Sequence, residues 1–186
     1  MQEDGQRWNE RYAAAPVVEA RSPEALEHWP DLASVLPTTG RCVDVASGPG
    51  AVTLWLADRG LDVTALDASS VAVDLLTSAA AAAGTTGRID ARVIDLDDGL
   101  PDDLSGVDLV VCQRFRDPML YQPIIEALRL GGIAIVTVLS SVGADEPGAF
   151  HAPAGELVTA FGADERCAVM HQLETDGVAH IVFTRR

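Results

Sequence analysis

Basic residues are scarce in this chain: 13 lysines and arginines stand against 28 aspartates and glutamates, which gives a formal net charge of −15. Such a field repels a phosphate backbone, and no basic stripe interrupts it, so we expect no nucleic-acid partner. No apolar run approaches the roughly 20 residues of a membrane-spanning helix, and the polar, acidic N-terminus does not resemble a signal peptide. We therefore expect a cytoplasmic protein that is not attached to a membrane.

Cysteine is also rare, and the three cysteines, Cys42, Cys112 and Cys167, lie far apart in apolar surroundings. Their spacing fits neither a metal pair nor a disulfide framework, so we expect buried thiols in a reducing compartment. The four histidines do not have the helical spacing of a zinc site. We therefore expect no metal.

The 186 residues are 48% hydrophobic, which is typical of one packed domain. Short apolar runs alternate with helical stretches, a pattern that predicts a parallel sheet with helices on both faces. The predicted strands are 41–46, 62–66, 89–94, 107–112, 133–139, 167–172 and 178–184.

The predicted helices separate these strands. A helix from Ser69 or Ser70 has strong helix formers at 79–83 and a stop at Gly84, and another is predicted over 119–130. Shorter helices are expected at 7–14, at 52–58 and at 155–161. Another is expected after Ser22-Pro23, and Pro30 should kink or restart it. Pro16 is expected to end the first helix.

The last two strands are joined by Thr175-Asp176-Gly177, and Asp-Gly between β-type runs predicts a hairpin. The expected fold is α/β, with a doubly wound, mostly parallel seven-stranded sheet that ends in an antiparallel C-terminal edge strand. We expect one domain over residues 1–186. Residues 1–40 would form a helical lid or cap, and residues 41–186 the α/β core.

A glycine turn follows the first strand, where Val43-Asp44-Val45-Ala46-Ser47 runs into Gly48-Pro49-Gly50. Glycines here allow a bound nucleotide to approach the backbone, and the helix that follows directs amide donors at it. Asp67 ends the second strand, 19 positions after Gly48, close to the offset at which a carboxylate meets a ribose. Asp95, after the third strand, is suited to read an adenine amino group at the same sheet edge.

Two of these acids have alternatives. Asp67 could cap the helix that starts near Ser69. Asp95, followed by Asp97-Asp98-Gly99, could belong to an ordinary turn. The ligand could also be a dinucleotide, although a dehydrogenase fingerprint needs glycine or alanine where Thr53 stands.

Several segments resemble the class I S-adenosylmethionine (SAM)-dependent methyltransferases, in particular the small tellurite-resistance and thiopurine methyltransferase-like group. The turn is similar to the first motif of that class, with Ala46 where glycine is usual. The other similar segments, spread over nearly the whole chain, are Trp8 to Tyr12, Thr53 to Gly60, Val63 to Asp67, Asp95 to Asp98, Leu128 to Gly132 and Pro153 to Leu157. The arginine–histidine pair that often follows the first motif is replaced by Ala51 and Val52.

This resemblance implies SAM as cofactor and S-adenosylhomocysteine as product. In the group, the acid at Asp44 orients the glycine loop and the methionine amino group. The implied cofactor-binding residues are Asp44, Ala46, Gly48, Gly50, Asp67, Ala68, Asp95, Leu96 and Cys112.

The candidates for contact with the methyl acceptor are Trp8, Tyr12, Arg114, Phe115 and His151. Trp8 and Tyr12, four residues apart on one helix, could cover the site or only pack on the sheet. Arg114 could bind an anionic substrate or pair with an acid, and His151 could face the substrate or lie on the surface.

Methyl transfer from a sulfonium is an in-line displacement in which orientation is the main task. Since no catalytic triad and no buried lysine are evident, and no catalytic residue can be named, the sequence favours a soft or already ionised small-molecule acceptor. A catalytically silent SAM-binding regulatory partner and a nicotinamide-dependent oxidoreductase are the alternatives. Either a monomer or a homodimer is expected.

Overall fold

The computed structural model of the chain describes residues 2–15 and 18–186. The chain forms two compact units, one of Met1–Ser22 with Pro37–Gly99 and one of Pro23–Leu36 with Leu100–Arg186. The helices are α1 (Gln2–Tyr12), α2 (Ala25–His28), α3 (Leu32–Val35), α4 (Ala51–Asp58), α5 (Ser70–Ala83) and α6 (Tyr121–Ala127). The strands are β1 (Arg41–Val45), β2 (Asp62–Asp67), β3 (Ile89–Val93), β4 (Val107–Gln113), β5 (Leu128–Leu139), β6 (Cys167–Thr175) and β7 (Val178–Arg185).

The first unit contains three parallel strands in the order β3-β2-β1. Val45 of β1 lies beside Leu66 of β2, and Asp67 lies beside Val93 of β3, so these strands end at one edge. The apolar positions of α4 and α5 pack on the strands, with Leu76 fully buried. The predicted strands of this unit and the predicted helices at α4 and α5 are confirmed to within two residues at each end.

The N-terminal helix α1 packs on α5. It begins earlier than predicted and ends at Tyr12 rather than at residue 14. Pro16, predicted to end this helix, lies outside the described residues. The predicted lid, residues 1–40, is divided, because residues 1–22 belong to the first unit and residues 23–36 to the second.

The second unit contains the strand order β4-β5-β7-β6. β4 and β5 are parallel, whereas β7 is antiparallel to both β5 and β6. Ser22-Pro23 precedes two short helices rather than one, and α2 starts at Ala25 without a side-chain cap. The predicted restart at Pro30 is confirmed, because α3 follows it.

The predicted helix 119–130 was too long at its C-terminal end. A 3₁₀ turn (Pro118–Leu120) leads into α6, which ends at Ala127, and Leu128 already pairs with Val107 of β4. Gly131-Gly132, which lie between the predicted helix and the predicted fifth strand, are within β5, where the pairing with β4 is irregular. The predicted helix 155–161 is a π-helical turn at Val158–Gly162.

The C-terminal hairpin is confirmed. Asp176 and Gly177 both have positive φ, 50° and 79°, as a type I′ turn requires, and they join the antiparallel strands β6 and β7. β6 is the outer strand, and β7 lies between β5 and β6. Seven strands, parallel in the first unit and with an antiparallel hairpin in the second, confirm the predicted α/β class.

Candidate functional site

The turn between β1 and α4 has a left-handed backbone at three positions. Ala46, Gly48 and Gly50 have φ of 54°, 53° and 91°. The Ser47 N–H donates to the Leu66 carbonyl at 2.9 Å, which fixes the turn against the end of β2. Ala46 therefore adopts, at some cost in strain, the conformation that glycine would supply freely.

Asp67 joins this turn to the next helix. One carboxylate oxygen, Oδ2, accepts from the Gly48 N–H at 2.7 Å, and the other, Oδ1, accepts from the Ser69 N–H at 2.8 Å. Burial raises the pKa of Asp67, and the two backbone hydrogen bonds oppose that rise. The cap of α5 is Ser69, whose hydroxyl accepts from the Ala72 N–H, so Asp67 is not that cap.

Asp44 is fully buried in β1, and its partner is Thr53 of α4. The Thr53 hydroxyl donates to Asp44 Oδ2 at 2.6 Å. Burial raises the pKa of Asp44 to about 7; the Thr53 hydrogen bond lowers it, and the nearby charge of Asp67 raises it further. The sequence pointed to Thr53 only as a misfit to the dinucleotide fingerprint, whereas in the structure it satisfies the buried acid.

The two glycines of the turn have different surroundings. A Cβ on Gly50 would lie 2.3 Å from Leu76 Cδ1, so the small size of Gly50 allows α5 to pack closely. A Cβ on Gly48 would lie 3.0 Å from the Tyr12 hydroxyl. The prediction treated both as openings for a nucleotide; only Gly48 has a polar group in that space.

Helix α1 places Tyr12 over the turn. Asn9 fixes the helix, because its Oδ1 accepts from the Ser69 hydroxyl at 2.7 Å and from the Val71 N–H at 3.3 Å. Burial and the charge of Asp67 raise the pKa of Tyr12, and Arg11 lowers it. The half-buried Trp8 ring stacks on Tyr12 with centroids 5.7 Å apart.

The remaining cofactor candidates of the first unit lie after β2 and β3. Ala68 directly follows Asp67, and its carbonyl oxygen would lie 3.1 Å from a Cβ on Gly5. Asp95 caps a short 3₁₀ turn, since its Oδ1 accepts from the Asp97 N–H at 3.1 Å. Leu96 is buried. This hydrogen bond supports the alternative that Asp95 belongs to an ordinary turn. Recognition of adenine by Asp95 remains a prediction.

In the second unit, the candidates at the end of β4 and directly after it are held by contacts within the unit. The Cys112 thiol is buried and donates to the Phe115 carbonyl at 3.6 Å. Arg114 has a φ of 55°, and its Nε donates to Glu24 Oε1 at 2.6 Å. In the structure, Arg114 therefore pairs with an acid, as one of its two predicted roles requires.

His151 belongs to the loop after β5. Its Nδ1 accepts from the Gly148 N–H at 2.9 Å, which closes a local turn. The next residue, Ala152, bridges to Ser140 at the end of β5. The structure thus gives His151 a local structural contact.

Sequence reasoning missed a polar cluster in the second unit. Arg116 donates to both oxygens of Glu156, at 2.8 and 2.6 Å, and the Tyr121 hydroxyl donates to Glu156 Oε1 at 2.5 Å. Arg116 lowers the pKa of Glu156 by hydrogen bonding, while burial and Glu156 raise that of Tyr121. The sequence signal was the similar segment Pro153 to Leu157, but the sequence predicted only a helix there and no role for Glu156.

Residues 2–15 and 18–186 contain neither a candidate metal cluster nor a candidate membrane span. In this part of the chain, no group of three or more histidine, cysteine, aspartate or glutamate side chains is arranged to hold a metal ion. No helix in the same residues is long and apolar enough to cross a membrane.

Residues 42–132, just under half of the chain, match a family model described as a methyltransferase domain. No curated protein matches the sequence. Among solved structures, TehB from Haemophilus influenzae is 17% identical, with a TM-score of 0.73 over 86% of this chain. The match covers 62% of the TehB chain, which is less than two thirds of its length.

Two further structures cover nearly the whole chain. Geranyl diphosphate C-methyltransferase from Streptomyces coelicolor A3(2), in complex with Mg²⁺, geranyl diphosphate and S-adenosyl-L-homocysteine, is 14% identical. Its TM-score is 0.73, over 100% of this chain and 97% of that one. A protein that converts a disulfide bond into a thioacetal group during echinomycin biosynthesis is 20% identical, with a TM-score of 0.71 over 97% and 92%.

These similarities show the fold of the chain. Residues 42–132 are similar to a methyltransferase domain, and the chain has the fold of the class I methyltransferases. The predicted resemblance to the class I methyltransferases, including the tellurite-resistance group, is thereby confirmed.

Proposed function

We propose that this protein transfers the methyl group of SAM, by in-line displacement, to a small-molecule acceptor with a soft or already ionised nucleophile. The observation that carries the proposal is the 2.7 Å bond between the Gly48 N–H and Asp67 Oδ2. This hydrogen bond holds the carboxylate that would bind the ribose next to the glycine turn that would bind the rest of the nucleotide. When bound there, SAM supplies an activated methyl group.

The residues of the turn fit such a cofactor. Each oxygen of Asp67 accepts one backbone N–H, whereas a carboxylate can accept about four hydrogen bonds in all, so capacity for a ribose diol remains. Because burial disfavours the charged form of Asp67, two further donors would stabilise it. Gly48 has no side chain, and the Tyr12 hydroxyl lies in the space beside it, so a ligand bound there would contact or displace Tyr12.

The other cofactor candidates have distinct proposed roles. Asp44 would support the turn through its hydrogen bond with Thr53 of α4. Gly50 would support it by allowing Leu76 to pack closely against it. Ala46 and Ala68 would line the ligand with backbone atoms. The predicted contacts of Asp95, Leu96 and Cys112 with the cofactor remain proposals.

A soft acceptor is favoured by what the chain offers for proton transfer. All 13 of its basic residues are arginines, which do not act as general bases near neutral pH. Arg114 pairs with Glu24, and His151 uses Nδ1 within its own loop. The similar protein of echinomycin biosynthesis acts on sulfur, which supports a sulfur-type acceptor here.

Helix α1 is proposed to cover the bound cofactor. Tyr12 lies next to Gly48, and Trp8 stacks on Tyr12, so both rings are near the turn. A cover of this kind excludes water and holds the reacting groups in line. Trp8, Tyr12, Arg114, Phe115 and His151 remain the proposed acceptor contacts.

A turnover panel tests the proposal. Formation of S-adenosylhomocysteine is measured with small thiols, hydrogen selenide and tellurite, and with phenols, alcohols and geranyl diphosphate plus Mg²⁺ as the contrasting acceptors. We expect turnover with at least one acceptor of the first group. Turnover only with alcohols or with geranyl diphosphate would refute the soft acceptor. Binding of SAM without turnover of any acceptor would instead favour the silent regulatory partner.

A further inference from the structure

Three of the four histidines lie together in the second unit, although they are far apart in sequence. His28 is on α2, His171 on β6 and His180 on β7. The ring centroids of His28 and His180 are 5.0 Å apart, and those of His171 and His180 are 6.0 Å apart. Trp29 stacks on His171 with centroids 5.4 Å apart. The rings thus join residues 23–36 to the C-terminal hairpin.

The inner rings of this cluster lack hydrogen-bond partners. No group in the described part of the chain bonds to the buried His171 Nε2, nor to either ring nitrogen of His180, which is 3% exposed. His151, by contrast, accepts a backbone N–H with its Nδ1. A proton added to His180 would place a buried positive charge without an acceptor, close to two more imidazoles.

The surrounding groups do not offset such a charge. In the sheet, His180 lies between Thr137 of β5 and Leu173 of β6. The carboxylate of Glu24, on the turn before α2, bonds to Arg114. Glu174 of β6 accepts from the Ser140 hydroxyl and the Gly155 N–H. Other charged side chains on or beside these elements include the exposed Glu27, Asp31 and Asp176, and Arg185, which donates to the Glu126 carbonyl.

The electrostatics of the cluster agree with this geometry. Burial lowers the pKa of His180 to about 4, and His28 and His171 lower it further. Burial also lowers the pKa of His171, with a second contribution from His28. No carboxylate is among the causes of either shift.

We propose that His28, His171 and His180 form an acid-sensitive latch, which holds residues 23–36 on the β6–β7 hairpin while the inner rings of His171 and His180 are neutral and releases them when those inner rings take up protons. The contribution of His180 to stability is complete above the unfolded-state pKa of 6.5. It is lost as the pH falls from there towards about 4, because in this range the released form binds more protons.

Release of residues 23–36 would also affect Gln113, at the end of β4, and Arg114, which follows it. The Glu24 N–H donates to Gln113 Oε1 at 3.0 Å, and the Glu24 carboxylate holds Arg114. Gln113 in turn donates to the Thr137 hydroxyl at 2.9 Å. Opening of the latch would therefore break two contacts that fix Gln113 and Arg114, whatever the acceptor of the enzyme is.

Hydrogen exchange of the full chain between pH 7.5 and pH 5, corrected for intrinsic rates, tests the latch. We expect the opening equilibrium of residues 23–36 to rise at least tenfold, while the peptides of β4 and β5 stay protected. The variant His180→Gln should lose this pH dependence. His28→Gln, at an exposed position, should reduce it, and the control His151→Gln should behave like the wild type.

The latch is refuted by any of three results. Residues 23–36 could show no pH dependence in the wild type, or the same dependence in His28→Gln as in the wild type. The peptides of β4 could also lose protection together with residues 23–36, which would indicate global unfolding. Should His180→Gln not fold, His28→Gln alone decides the matter, because its ring lies at the surface.

Discussion

Replacing Asp44 by asparagine should change how stability depends on pH. In the folded chain the pKa of this buried acid is about 7, against 3.8 for an unperturbed carboxyl. Between these values the folded form keeps a proton that the unfolded form has released. The free energy of unfolding of the wild type should therefore fall as the pH rises through this window, and the fall is complete above about pH 7.

The magnitude follows from the part of the window that is measured. Between pH 5 and the folded pKa of about 7, the wild type loses stability over about two pH units, and no further loss is expected up to pH 8. At 1.36 kcal/mol per unit, this loss is about 3 kcal/mol. Asp44→Asn retains an acceptor for the Thr53 hydroxyl but carries no charge. Its stability, relative to the wild type, should rise by this amount between the two pH values.

Urea unfolding of both proteins at pH 5, 6, 7 and 8 measures the difference directly, because other titrating groups are common to both. Thr53→Val serves as a companion variant: loss of its hydrogen bond should raise the pKa of Asp44 and move the window upward. Stability curves of the wild type and Asp44→Asn that stay parallel across the range would refute the reasoning.

The remaining predictions concern the turn and α1. Gly50→Ala should cost about 2–4 kcal/mol, from left-handed strain and from the clash with Leu76, and in a double-mutant cycle Leu76→Ala should cost less in the Gly50→Ala background than alone. Additive losses in urea unfolding would contradict the clash. Ala46→Gly should leave stability unchanged or raise it by up to about 1 kcal/mol, because relief of the left-handed strain outweighs the added unfolded-state entropy; a clear loss would contradict the strain. Hydrogen exchange at Trp8 to Tyr12 should slow when S-adenosylhomocysteine is added, and deletion of residues 1–16 should reduce turnover more than binding. Equal protection with and without the ligand would mean that α1 is a fixed helix and not a lid.

The strands and the glycine turn could be predicted because their signals are local. Apolar runs such as 133–139 are buried on both faces, and Asp176-Gly177 requires the backbone angles of its turn. The error at 119–130 arose because helix formers continue past Ala127, whereas pairing of Leu128 with Val107 starts the strand earlier. Tertiary pairing thus overrode a local preference.

The contacts within the candidate site could not be predicted, because they join residues that only the fold brings together. Thr53 bonds to Asp44 across a strand and a helix, and Gly50 is required by Leu76, 26 positions later in the sequence. The histidine cluster joins His28 to His180 through the position of α2 on β7. Composition and spacing contain no signal for such pairs.

Calorimetric titration of S-adenosylhomocysteine into the wild type, Asp67→Asn and Asp62→Asn tests the central claim, that the cofactor binds at the Gly48 turn through Asp67. Asp62 begins the same strand but is exposed and pairs with Arg88, so it is the matched control. Asp67→Asn lacks the charged acceptor, so it should bind S-adenosylhomocysteine at least tenfold more weakly than the wild type. The reason is that a hydrogen bond to a charged group contributes about 1.5–3 kcal/mol. Asp62→Asn should bind like the wild type. Equal affinity of all three proteins, with Asp67→Asn shown to be folded at the temperature of the titration, would contradict the account.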